Sequence, residues 1–117
     1  MLTQETLARF DREIAKYPAE QKQSAVMACL TLAQIEKGWL AKETIAFVAD
    51  YLDIPAIAAE EVATFYNMYN LKPVGKYKLA VCTCIPCALS GGRDAAAYLA
   101  ERLGISKEDA AKALMQV

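Results

Sequence analysis

The chain has 117 residues, 56% of them apolar, with 13 basic against 14 acidic side chains and no histidine. That length suits one domain, or one domain plus an appendage, with ample apolar material for a core. Balanced charge argues against the clustered basic face of a nucleic-acid binder, no apolar run reaches bilayer length, and the lack of histidine removes Cys/His zinc sites and His-activated nucleophiles.

The start, Met1-Leu2-Thr3-Gln4-Glu5, has neither the basic opening nor the apolar centre of a secretion signal. A cytoplasmic protein is expected, and there clustered cysteines point to metal or redox chemistry more than to structural disulfides.

In chain order, Leu7, Phe10, Ile14 and Tyr17 recur at helical spacing, with Thr3 placed to cap the start and Pro18 to end it. A second helix is predicted from Ala19 to Lys37. Val26, Cys29, Leu30 and Ala33 form its stripe, Leu32 and Ile35 widen it, and Gly38 stops it. A third spans Ala41–Leu52 and is broken by Ile54-Pro55. A fourth runs from Ala56 to Tyr69. Its aromatic end, Phe65, Tyr66, Met68 and Tyr69, is assigned to the core in preference to a partner surface, and Glu60 and Glu61 to its solvated side.

The character changes at Leu71-Lys72-Pro73-Val74-Gly75, a turn-rich joint. Lys76–Val81 reads as a strand covered on both faces, Arg93–Leu103 as a helix with Ala96, Leu99 and Leu103 inward, and Gly104 as its stop. Ser106-Lys107-Glu108-Asp109 reads as the start of a last helix that continues to the chain end at Val117. One strand has no partner for its backbone groups. Dimerisation or strand exchange with a second copy is therefore expected, or else the 117 residues are part of something longer.

The chemistry concentrates at Cys82-Thr83-Cys84-Ile85-Pro86-Cys87, where three of the four cysteines fall within six residues. Three readings stand. Cys82 and Cys87, spaced C-x4-C, are thiolates suited to half of a [2Fe–2S] ligand set. Alternatively, Cys84 and Cys87 form a C-x-P-C dithiol of a thioredoxin-like thiol–disulfide oxidoreductase. In the third, the cysteines are small buried hydrophobes. Cys29, on a helical apolar stripe, is assigned to plain core packing, and Gly91-Gly92 to a flexible turn.

Glu61-Val62-Ala63-Thr64-Phe65-Tyr66, Pro73-Val74-Gly75-Lys76-Tyr77, and Val81-Cys82 with Cys87 and Gly91 together closely resemble the family of the [2Fe–2S] E subunit of NADH:quinone oxidoreductase (respiratory complex I). Related proteins occur in NAD-linked hydrogenases and formate dehydrogenases. The resemblance covers about Phe10 to Ile105. It implies an α+β fold, with an N-terminal helical bundle over residues 1–71 and the first part of a thioredoxin-like α/β domain over residues 72–117. It implies a [2Fe–2S] cluster on four cysteines, of which Cys82 and Cys87 would be the first metal-binding pair. Thr83, Pro86 and Leu89 would shape the loop, and Gly91 would mark its exit. The implied partner is the flavin-bearing, NADH-binding subunit, against which the Glu61–Tyr66 module leans. The protein would carry electrons without binding NADH itself, and it would lie peripheral to the inner membrane through the complex.

Two departures accompany the resemblance. Cys84 is a sulfur where the family uses no ligand, and the family's second pair, spaced C-x3-C, would lie beyond Val117. A truncated chain without a normally assembled cluster is the resulting expectation. A cofactor-free scaffold that binds the flavin subunit is the remaining alternative.

Overall fold

The structure, a computed structural model, describes residues 2–75 and 77–104, together with the backbone of 114–116. The chain packs into two units, Met1–Pro73 and Val74–Val117. The fold is α+β: a helical N-terminal unit, followed by the opening of a thioredoxin-like α/β domain.

Helix α1 (Gln4–Ile14) starts where the Thr3 hydroxyl accepts the Thr6 N–H, satisfying one of the otherwise orphaned donors of a first turn. The Thr3 N–H donates to Glu36 Oε1 at 2.9 Å, tying this start to the end of α2. The helix expected over Ala19–Lys37 is in fact two pieces. A 3-10 segment (Ala19–Ala25) leaves helical geometry at Gln21 (φ −121°, ψ 35°), and α2 (Val26–Lys37) follows. Residues 20–24, Glu-Gln-Lys-Gln-Ser, are all exposed, so no apolar stripe holds them to the α-helical period. Gly38 takes the left-handed conformation (φ 83°) that ends α2, and its N–H donates to the Gln34 carbonyl.

Helices α3 (Lys42–Tyr51) and α4 (Ala56–Phe65) complete the bundle. Its core is Phe10, Cys29, Leu30, Leu40, Val48 and Leu52, all fully buried, with the Phe10 ring edge-on to Tyr51 at 5.4 Å. Ile35, expected to widen the α2 stripe, is instead exposed.

Helix α4 ends four residues before the expected Tyr69. Tyr66 is extended, and the turn after it is bound by groups distant in sequence. Gln34 Nε2 donates to the Met68 carbonyl at 3.1 Å, and Gln34 Oε1 accepts the Asn70 N–H at 2.6 Å. The Leu40 N–H donates to the Asn70 carbonyl, and the Tyr69 hydroxyl to the Met27 carbonyl. These bonds satisfy backbone groups that a further helical turn would otherwise have used. The consequence corrects the core assignment of the aromatic run. Tyr69 is buried, but Phe65 is 80% exposed and Tyr66 and Met68 also face solvent.

In the second unit, β1 (Leu79–Val81) is shorter than the expected strand, and Lys76 lies outside the described residues. Two short helices follow, α5 (Ile85–Leu89) and α6 (Gly92–Leu103), the latter closed by Gly104 at φ 66°. The strand is not alone. β2 (Leu114–Gln116) pairs with it in parallel, with Leu79 opposite Leu114, Ala80 opposite Met115 and Val81 opposite Gln116. A helix continuing to Val117 is thereby corrected, and so is the expectation of a strand without a partner in its own chain. The expected helix start at Ser106–Asp109 lies outside the described residues. Parallel pairing needs a long crossover, which the intervening segment with α5 and α6 supplies. With one partner strand among the described residues, Leu79 and Ala80 are exposed and not covered on both faces; Leu103 is exposed too, while Ala96 is buried.

The Tyr51 hydroxyl donates to Asp11 Oδ1 at 2.6 Å, joining α3 to α1. That hydrogen bond, aided by burial and by the Asp11 charge, pushes the phenol up to about 12. Because the folded value lies above the ordinary 10, the fold favours the protonated phenol. This contribution is complete below pH 10 and disappears as pH climbs toward 12. Tyr51→Phe should lower unfolding stability in urea by about 1 kcal/mol at pH 7, and its deficit relative to the parent should close between pH 10 and 12. A deficit that persists at pH 12 contradicts the assignment.

Candidate metal centre

The site is the turn between β1 and α6. Cys82 leaves the strand end, and Cys84 occupies the N-cap position of α5 with extended backbone (φ −61°, ψ 172°). Pro86 sits in the first turn of α5, where its missing N–H costs no hydrogen bond. The Ala88 N–H closes that turn onto the Cys84 carbonyl at 2.8 Å. The sequence pattern does not announce this helix, because five residues carry too little periodicity to distinguish it from a loop.

The exit is a two-glycine device and not a flexible turn. Gly91 is left-handed (φ 95°), a conformation strained for other residues. Gly92 serves a different purpose: a Cβ there would lie 2.8 Å from both the Cys82 and the Cys87 carbonyl oxygens. The start of α6 thus presses against the backbone of both cysteines. Adjacent glycines are the available signal, but the close approach is visible only in three dimensions.

The result is convergence. The Sγ atoms of Cys82, Cys84 and Cys87 all lie within 4.8 Å of one another, and Cys82 Sγ is 3.4 Å from Cys84 Sγ. Cys82 and Cys84 are exposed and Cys87 is half-buried, so the sulfurs face outward and are not small core hydrophobes. The Cys84 backbone N–H, then the Cys87 and Cys84 thiols, hydrogen-bond to Cys82 and hold it below the ordinary thiol value. Side-chain hydrogen bonds to Cys82 and then to Cys84, aided by burial, push the Cys87 thiol up to about 11. Three convergent cysteine sulfurs are a soft donor set.

Cys29 belongs to the helical unit. It is fully buried, and burial, followed by the Glu13 and Asp11 charges, pushes it up to about 12. It is a packing residue, as its place on the apolar stripe predicts.

A [2Fe–2S] cluster takes four protein ligands, two on each iron. Cys82 and Cys87 fit the spacing of two thiolates on a single iron; no second cysteine pair occurs among the described residues.

Residues 10–116 match the family described as thioredoxin-like [2Fe-2S] ferredoxin. The chain is 49% identical over 100 residues to the E subunit of NADH-quinone oxidoreductase from Rickettsia bellii (strain RML369-C), covering 85% of this chain and 60% of that relative. It is 45% identical to the same protein of Rickettsia typhi, and 44% identical to that of Rickettsia prowazekii, each over 100 residues and 85% of this chain. The chain covers 59% and 56% of those two relatives. It therefore spans less than two thirds of the length of the curated relatives it matches.

Gly92→Ala forces the two carbonyls away from α6. We expect it to destabilise the chain by about 1–3 kcal/mol, the usual cost of overpacking. Gly75→Ala, where an added Cβ meets nothing within 4 Å, serves as the neutral control. Thermal unfolding of both variants checks this, and equal midpoints contradict it.

Proposed function

The chain belongs to the thioredoxin-like [2Fe-2S] ferredoxin family, and from that premise we propose that it is the electron-transfer subunit of an NADH dehydrogenase complex. The observation that carries this reading is the convergence of Cys82 and Cys87 at the strand-to-helix turn. These two would hold one iron of a [2Fe–2S] cluster. When bound, the cluster stores a single electron, at a potential that burial and hydrogen bonds to sulfur tune.

What the chain's own residues contribute is placement. Gly92 keeps the two cysteine carbonyls drawn in, Pro86 stiffens the first turn of α5, and the Cys84 N–H supplies a hydrogen bond to the Cys82 sulfur. The remaining two ligands are proposed to come from outside these 117 residues, since Cys29 is sealed in the helical core. On this reading residues 1–71 serve as a docking module and residues 72–117 as half of the cluster-bearing domain.

The proposed partner is the flavin-bearing, NADH-binding subunit. Support comes from the apolar surface around the end of α4: Phe65, Tyr66, Met68 and Leu71 are all exposed. A cleft of about 500 Å³ nearby is lined by Trp39, Ile45, Thr64 and Leu71. An exposed surface of aromatic side chains with Met68 suits a protein interface. Through that complex the chain would be peripheral to the inner membrane; among the described residues no helix is long and apolar enough to cross it.

A thiol–disulfide exchange role for Cys84 and Cys87 has less support. The thiol held below its ordinary value is Cys82, outside that pair, whereas Cys87 is pushed up to about 11. A dithiol of that class relies on a stabilised thiolate within the C-x-x-C pair.

Two measurements test the proposal. After anaerobic reconstitution, the 117-residue chain should hold far fewer than the two irons and two sulfides per chain of a complete cluster. Stoichiometric incorporation contradicts the proposed ligand set. Separately, Phe65→Ala should weaken binding to the flavin subunit at least tenfold by surface plasmon resonance, as loss of a central aromatic anchor does. An unchanged affinity contradicts docking through this face.

A further inference from the structure

Cys84 is unused by the proposed cluster, yet its sulfur converges with those of Cys82 and Cys87. Its Sγ is 3.4 Å from that of Cys82, and all three sulfurs fall within 4.8 Å. We propose that Cys82, Cys84 and Cys87 form a mononuclear binding site for Zn²⁺, with three thiolate ligands and a solvent-facing fourth position. The inference shares Cys82 and Cys87 with the reading above but goes beyond it, because it requires Cys84 and no cluster.

The geometry fits one ion. Zinc–thiolate bonds of about 2.3 Å in a tetrahedron space their sulfurs roughly 3.8 Å apart, inside the observed range of separations. With one edge at 3.4 Å and the other two at the 4.8 Å limit, some point lies within about 2.6 Å of all three sulfurs. Adjustments of a few tenths of an ångström then bring each to bonding distance. Cys84 and Cys82 are exposed, so the ion can enter from solvent and water can complete its coordination. Zinc has no geometric preference of its own to resist a three-sulfur face, and soft thiolates retain it.

Binding is a substitution that balances simply. Three thiols lose three protons to solvent, and their sulfurs displace water ligands from the hydrated Zn²⁺ as three Zn–S bonds form, with no oxidant or reductant required. Because Cys82 and Cys87 serve both groups, bound zinc and the cluster exclude each other.

The test uses the whole chain, reduced and stripped of metal, titrated with Zn²⁺ in competition with a chromophoric chelator. One zinc per chain is expected, with the Cys29→Ala variant binding as the parent does. Cys84→Ser should bind at least tenfold more weakly, with Cys84→Ala giving the same loss. An affinity unchanged in both Cys84 variants, or no zinc bound by a parent chain whose thiols are all free by reagent count, overturns the proposal. The cluster signal of the same variants, read by electron paramagnetic resonance in the assembled complex where all four cluster ligands are present, separates the two readings. If the Cys82→Ser, Cys87→Ser double variant loses that signal while Cys84→Ser keeps both the signal and full zinc affinity, the cluster reading stands and this one falls.

Discussion

Gly92 meets the carbonyl oxygens of Cys82 and Cys87 so closely that no side chain fits between them. Everything chemical in the second unit depends on that contact. It lets the start of α6 rest against both ends of the cysteine loop at once, so a strand end and a short helix present their sulfurs to one volume. A loop of this length without such a clamp would sample many sulfur separations, and each binding event would carry the entropy cost of ordering it. Here the cost is met by folding, which is how a site becomes preorganised for a soft metal.

The helical unit follows a comparable logic with a different result. Gln34 bonds to the backbone at both Met68 and Asn70, and Tyr69 reaches the Met27 carbonyl. These bonds pull the chain out of α4 early and bury Tyr69, while Phe65, Tyr66 and Met68 stay in solvent. Such side chains are rarely left together on a protein surface without use. The polar clamp on the inside of the turn is thus what creates the apolar patch on its outside. In the proposed division of labour, one unit recognises a partner and the other handles the electron.

Much of this was legible in the sequence, for identifiable reasons. Phe10, Cys29, Leu30 and Val48 recur at helical spacing and are fully buried. Thr3, Gly38 and Gly104 mark helix ends because capping is local chemistry. The three cysteines announced a site by density alone. What escaped was long-range. The end of α4 is decided by Gln34, more than thirty positions away. The pairing of Leu79–Val81 with Leu114–Gln116 joins strands that a reading of short apolar runs cannot match. The split of the second helix at Gln21 follows from an absence of apolar contacts, which propensity does not register. Gly92 looked like half of a flexible turn, and its role depends on two carbonyls that only folding brings near.

The central proposal is that Cys82 and Cys87 are thiolate ligands of a [2Fe–2S] cluster. The most direct measurement is electron paramagnetic resonance of the NADH-reduced complex proposed above, assembled with all four cluster ligands present, once with the parent residue at position 82 and once with Cys82→Ser. Replacing a thiolate by an alkoxide on one iron changes that iron's ligand field, so the account predicts a shifted or missing signal from this cluster, with the other centres untouched. A spectrum identical to that of the parent complex would contradict it.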